Sequence, residues 1–283
     1  MDNEKKDLLE LPKGTTSRRG FAKVAGISGL AAVAGSTLLG KLPKVMAAGG
    51  INDFDILKFA LNLEYLEAEF YTKATTGKTI QQIGIGVNGS GNYGATTGGK
   101  KVDFSGYAAA GAIANQVAFD EQTHVKYLRA AINSFGGQPI AKPAINLDAL
   151  GTGFGSVKEF LAVARALEDI GVTAYGGAAP LIQNRTILGA AARILATEAM
   201  HSGNIRLQVA TLKIATTKLD GVDILPPPSG THYFPVTDSS AQTEVRTPGQ
   251  VLFLAYGFKA NVMSGGFFPN GANGNIHTSS GSA

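Results

Sequence analysis

Two stretches of this sequence place a His three residues after a Glu: Glu121-Gln122-Thr123-His124 and Glu198-Ala199-Met200-His201. On a helix such residues lie about 60° apart around the axis and ~4.5 Å apart along it. Both side chains can then reach one cation, and the carboxylate can reach a second. Two further glutamates, Glu64 and Glu168, each stand among apolar residues at helical spacing, with a Tyr seven positions on (Tyr71, Tyr175). Burying isolated carboxylates is costly, so four glutamates facing one interior need a common partner. Two divalent cations provide it, four positive charges against four negative. The chain has no Cys, so a metal must be held through N and O, a donor set that suits two Fe or two Mn ions. A pair of such ions passes two electrons, and the expected chemistry is that of an oxidoreductase, peroxidase- or catalase-like with O2 or peroxide as the small substrate, or a ferroxidase.

Four segments with i, i+3, i+4, i+7 apolar spacing must position these residues. They cover about 52–75 (Leu57, Ala60, Leu61, Glu64, Ala68, Tyr71), 105–135 (Ile113, Val117, Glu121, His124, Leu128, Ile132), 156–179 (Leu161, Ala164, Glu168, Gly171, Tyr175) and 186–215 (Ile187, Ala191, Ile194, Glu198, His201, Ile205). Ser156 and Glu159 predict a capping box at the third start, and Gly136-Gly137 a stop for the second. The order Glu, Glu-x-x-His, Glu, Glu-x-x-His reads as one helix pair repeated, with an Arg five residues after each His (Arg129, Arg206). The fold class expected is all-α, a four-helix bundle with one long crossover between the second and third helices. A Gly-rich insertion, 76–104, separates the first two, and 83–89 predicts a small hairpin about Asn88-Gly89. The bundle is expected over 48–218. An extension, 219–283, is irregular apart from a short helix at 250–256 packed on the bundle.

Residues 1–47 stand apart. Ser17-Arg18-Arg19-Gly20-Phe21-Ala22-Lys23 precedes a modestly apolar run and a small-residue exit at Ala47-Ala48, the three-part plan of an export signal. The paired arginines followed by Phe and Lys resemble the twin-arginine signal. That resemblance implies the twin-arginine translocation machinery as a partner, passage in the folded state, and a periplasmic or extracellular destination without stable membrane insertion. The net charge of +4 belongs to this leader. Eight of the 25 Lys/Arg and four of the 21 Asp/Glu fall in 1–47, so the remaining 17 and 17 cancel. Nucleic acid is therefore not an expected partner. Self-association into a homo-oligomer stays open.

At the residues just named the chain resembles the ferritin-like superfamily, in which one Glu from each of two helices joins a Glu-x-x-His from each of the other two. The stretches from Leu63 to Tyr71, Leu167 to Tyr175 and Gly265 to Gly271 look more narrowly like the bacterial ferritin-like proteins related to desiccation-associated proteins. The resemblance implies Glu64, Glu121, His124, Glu168, Glu198 and His201 as metal ligands, Glu121 and Glu198 as bridges, and Tyr71 and Tyr175 near the centre as hydrogen-bond donors or radical sinks. The long first loop and the large extension depart from cage-forming ferritins and argue against a storage shell.

Other readings stand beside these. Glu67, one turn after Glu64, is an alternative ligand, a residue behind the ligands or a surface residue, and Glu69 is expected in solvent. Asp120 and Asp169 either orient a His or carry ordinary surface charge. Tyr71 and Tyr175 could be plain core aromatics. Arg129 and Arg206 are expected at the surface or in ion pairs, and His232 and His277 in surface loops. The bundle could serve stress protection, with the metals only stabilising it, or could hold a metal-free Glu–His network. The 76–104 loop with Tyr233, Phe234, Phe267 and Phe268 could bind cell-envelope material.

Overall fold

The computed structural model describes residues 50–283, so the expected export signal and its expected cleavage site lie outside the described residues. The described residues form an all-α bundle of helices α1 (Asp53–Thr76), α2 (Ala108–Ser134), α3 (Val157–Ala178) and α4 (Arg185–Thr211), with a short α5 (Pro248–Ala255) in the extension. Among them, no helix is long and apolar enough to cross a membrane. Local signals set the ends. Asn52 and Asp55 cap each other's backbone N–H groups at the start of α1, and Asn184 accepts from Thr186 and Ile187 at the start of α4. Ser156 caps Glu159 as its position predicts, but the capping box is incomplete. The Glu159 carboxylate instead accepts from Gly153, Gly155 and Thr152, tightening the approach to the helix.

Helices α1 and α2 run antiparallel, since Gln122 bonds Thr72 while Arg129 bonds Tyr65. So do α3 and α4, where Asp169 meets both Ser202 and Arg206 and Gly171 faces Glu198. The connection from α2 to α3 is the long crossover. It pairs in parallel with the Gly-rich loop, Thr96 and Thr97 against Ile145 and Asn146, with a further bridge from Ser90 to Ile140. No hairpin forms at Asn88-Gly89. A Cβ on Gly89 would lie 2.2 Å from the Pro139 carbonyl oxygen, and one on Gly94 would lie 2.3 Å from the Ala144 nitrogen. These glycines permit close backbone approach, not a turn.

The loop covers α1 on the side away from the bundle, and this overturns one expectation. Glu69 is fully buried, accepting from Ile80 N–H and Thr96 Oγ1 at 3.6 Å from the buried Lys142 Nζ. The extension is fastened as firmly. Asn62 and Asn273 bond each other's backbone or side-chain groups, Arg246 binds Asp220, and a Cβ on Gly177 would collide with the Arg246 carbonyl. Arg206, expected at the surface or in an ion pair, is fully buried in one. It binds Asp169 at 2.6 Å and donates to the carbonyls of Ile224, His232 and Tyr233. Truncating one partner of a buried pair leaves a charge and several carbonyls unsatisfied. Arg206→Ala is therefore expected to cost about 3–5 kcal/mol, read as a lowered urea midpoint. A change below about 1 kcal/mol would show that the extension is held by other contacts.

Candidate metal centre

Each helix contributes its anomalous polar residue at the same depth. Glu64 of α1, Glu121 and His124 of α2, Glu168 of α3, and Glu198 and His201 of α4 all converge on the bundle interior. The glutamates are fully buried, and the His side chains are only 11% and 7% exposed. The donors fall into two groups, Glu64, Glu121, His124 and Glu198 in one, Glu121, Glu168, Glu198 and His201 in the other. Within each group the donor atoms lie within 4.8 Å of one another. Glu121 and Glu198 belong to both.

His124 Nδ1 stands 3.2 Å from an oxygen of each of Glu64, Glu121 and Glu198. His201 Nδ1 stands 3.1 Å from Glu121 and 3.3 Å from Glu168, while its Nε2 faces Asp120 at 3.2 Å. Of the two open readings of Asp120, the structure gives orientation of a His. In the neutral ring, donation from Nε2–H to Asp120 leaves the Nδ1 lone pair aimed at the cluster. Asp169 does not orient a His; its carboxylate goes to Ser202 and Arg206. Asp120→Ala is expected to weaken metal binding ~10–100-fold, checked by competition with a chromogenic chelator.

The donors suit a cation better than they suit each other. Glu64 Oε2, Glu121 Oε1, both oxygens of Glu168 and of Glu198, and His201 Nδ1 are buried without an aligned hydrogen bond, although several lie at ion-pair distance. Left to balance one another, they are in poor electrostatic order. Burial raises the Glu64 carboxyl to about 7 against the pull of His124. Burial also raises Glu168, against the pull of His201, and raises Glu198 well above its ordinary value with repulsion from Glu121 added. It acts on Glu121 too, but His124 and His201 overcome it and hold that carboxylate well down. Burial disfavours charge on both imidazoles, yet the surrounding carboxylates keep their protons on far above the ordinary His range. A buried set of O and N donors, most of them without an aligned hydrogen bond, fits divalent cations.

Both tyrosines stand at this centre. Tyr175 donates to Glu64 Oε1, and Tyr71 feels the charge of Glu168 without completing an aligned hydrogen bond. Burial raises both phenols well above their ordinary value. His232 and His277 are partly exposed and distant in chain and role, bonding Asp238 and the Gly274 carbonyl.

Two further residues border the centre without belonging to either donor group. Glu67 is buried, with Oε1 unpartnered, and burial reinforced by Glu198 lifts its carboxyl well above the usual range. It belongs to neither donor group. Gly171 holds the space opposite. A Cβ there would lie 2.7 Å from Glu198 Oε2 and 3.4 Å from Glu67 Oε1. The repeat carries the signal, since 67 and 171 each follow the α1 or α3 ligand by three residues. Glu67→Gln is expected to retain both metals while Glu64→Gln loses one, as measured by elemental analysis. Equal loss from both variants would make Glu67 a ligand.

A family model described as a ferritin-like domain matches residues 52–211. A ferritin-like catalase, Nec2, of Nesocodon mauritianus is 24% identical over 276 residues, covering 79% of this chain and 84% of the relative. A desiccation-related protein, PCC13-62, of Craterostigma plantagineum is 27% identical over 172 residues, covering 55% of this chain and 52% of the relative.

Proposed function

Because the chain belongs to the ferritin-like domain family, we propose that it is an exported protein holding two Fe or Mn ions that consumes hydrogen peroxide in oxidative or desiccation stress. Glu64, Glu121, His124, Glu168, Glu198 and His201 would hold the ions. The observation that carries the reading is that Glu121 and Glu198 each serve both donor groups, an arrangement suited to neighbouring cations sharing carboxylates. The relative named a ferritin-like catalase, aligned across most of both chains, supports peroxide as substrate. The leader at 1–47 supports export by the twin-arginine route to the periplasm or beyond.

When bound, such a pair stores and returns two electrons. The net reaction balances with those two: one peroxide takes two electrons and two protons to give two waters, and another gives up two electrons and two protons as O2. The chain's own groups supply the surroundings. Apolar walls exclude bulk water and strengthen every charge inside. Asp120 fixes the tautomer of His201, and Tyr175 holds a proton on the phenol against Glu64. Tyr71 offers a second phenolic proton beside Glu168.

The test is an oxygen electrode with purified protein loaded with Fe(II) or Mn(II). One O2 per two peroxides is expected, together with about two metals per chain. The similarity to a desiccation-related protein favours a second reading, in which the metals brace the bundle without turnover. Full metal content, a large loss of thermal stability on chelation and no consumption of peroxide or Fe(II) would select it.

A further inference from the structure

An apolar cleft opens between α1, α3 and α5. Leu63 and Leu66 of α1, Leu167 of α3, and Leu254 and Ala255 of α5 form its walls, and Glu67 is the one charged residue lining it. Gly171 lines it together with Glu67. Those residues also border the cluster, because the missing Cβ of Gly171 would stand 2.7 Å from Glu198 Oε2 and 3.4 Å from Glu67 Oε1. The cleft therefore shares Gly171 and Glu67 with the border of a carboxylate common to both donor groups. Glu67 itself is 4% exposed, with an oxygen left unpartnered.

We infer that this cleft admits a small uncharged solute of the hydrogen peroxide or O2 class to the cluster, and that Glu67 receives it there through a hydrogen bond. Size and polarity select that class. The cleft leaves about 40 Å³ for a water-sized molecule, where each water needs ~10–15 Å³ of such space, so a diatomic or a peroxide fits and an organic substrate does not. Its leucine walls offer nothing to replace the hydration shell of a divalent ion. Fe(II) in bulk is thus disfavoured as a substrate by this route. The wall formed by α5 gives the C-terminal extension a part in access. The inference rests on the proposed two-metal centre for its destination, and the test separates the two.

Leu254→Trp and Ala255→Phe fill the cleft without touching a donor, and Leu254→Ala enlarges it. In full-length protein loaded with Fe(II), stopped-flow association of nitric oxide reports entry of an uncharged diatomic without turnover. The filled variants are expected to keep their metal and thermal midpoint, to bind nitric oxide at least tenfold more slowly, and to lose peroxide kcat/KM by a similar factor. The enlarged variant should bind nitric oxide faster. Xenon NMR, which needs no metal, should show a saturable site that Leu254→Trp abolishes. Nitric oxide rates unchanged across all three variants, or no saturable xenon site in the wild-type protein, overturns the inference and points to entry beside α2, where His124 keeps its small exposure. Slowed nitric oxide entry with no peroxide turnover in any protein leaves the route standing and removes the proposed activity.

Discussion

Glu198→Gln is expected to remove both metals while leaving a metal-free bundle more stable than chelated wild type. Both halves of the result come from one side chain. Glu198 belongs to both donor groups, so an amide there deprives each of a charged ligand. The loss should exceed the ~10–100-fold in affinity typical of an outer partner such as Asp120. Glu64→Gln and Glu168→Gln touch one group each and should leave about one metal per chain. Without a cation, however, Glu198 is a fully buried carboxyl whose charge is opposed first by burial and then by Glu121. Gln keeps the shape and removes that charge. Elemental analysis reads the first half, and thermal melting in excess chelator at pH 7.5 reads the second. A Glu198→Gln protein that still carries two metals would refute the shared-carboxylate assignment. One whose chelated form melts below chelated wild type would mean that the carboxylate stabilises the fold by itself.

The second large effect is metal removal, and its size grows with pH. Two ions, each present at ~1,000 times its dissociation constant, would contribute roughly 8 kcal/mol. At ~2–4 °C per kcal/mol for a domain of this size, chelation should lower the melting temperature by about 16–32 °C. In the chelated protein, Glu64 titrates at about 7 rather than 4.5, so the folded state holds a proton that the unfolded chain releases. That contribution is fully present below pH 4.5 and is lost as pH rises to about 7, on the order of 3 kcal/mol. Glu67, Glu168 and Glu198 act in the same direction from the same starting point. His124 and His201, also raised, extend the loss above pH 6.5. Glu121 opposes it, but its lowered value means that its contribution is complete once pH passes the ordinary Glu range. Chelated protein should therefore melt progressively lower from pH 5 to 8. Metal-loaded protein should not, because the ligands bind deprotonated and affinity rises with pH. Parallel melting curves for the two forms would count against a metal at this site.

The six donors were legible because each breaks a pattern. A charge in an apolar stripe has no ordinary explanation, and Glu-x-x-His twice on separate helices leaves little room for accident. The four long helices were legible from the same periodicity, Ser156 marked one start, and the structure adds Asn52 and Asn184 as caps of two others. What periodicity conceals follows from its premise that a helix has one wet face. Helix α1 has none along most of its length, since the 76–104 loop covers one side and the extension another. Glu69 consequently reads as solvated yet is tied to Ile80, Thr96 and Lys142. Glu67 suffers the same ambiguity. Gly89 and Gly94 show a further limit. A glycine that permits backbone contact and one that permits a turn look identical in sequence, and only the partner strand at 139–146 tells them apart.

The internal duplication matches Glu64 to Glu168 and Tyr71 to Tyr175, and departs between them, notably where Glu67 faces Gly171. The carboxylate of one half occupies room that the other half provides by having no side chain. Neither residue can be exchanged for its counterpart: a second glutamate would crowd Glu198, and a second glycine would remove the only acid on that wall. The two halves are not interchangeable at this point, and a mutation and its counterpart in the other half are different experiments.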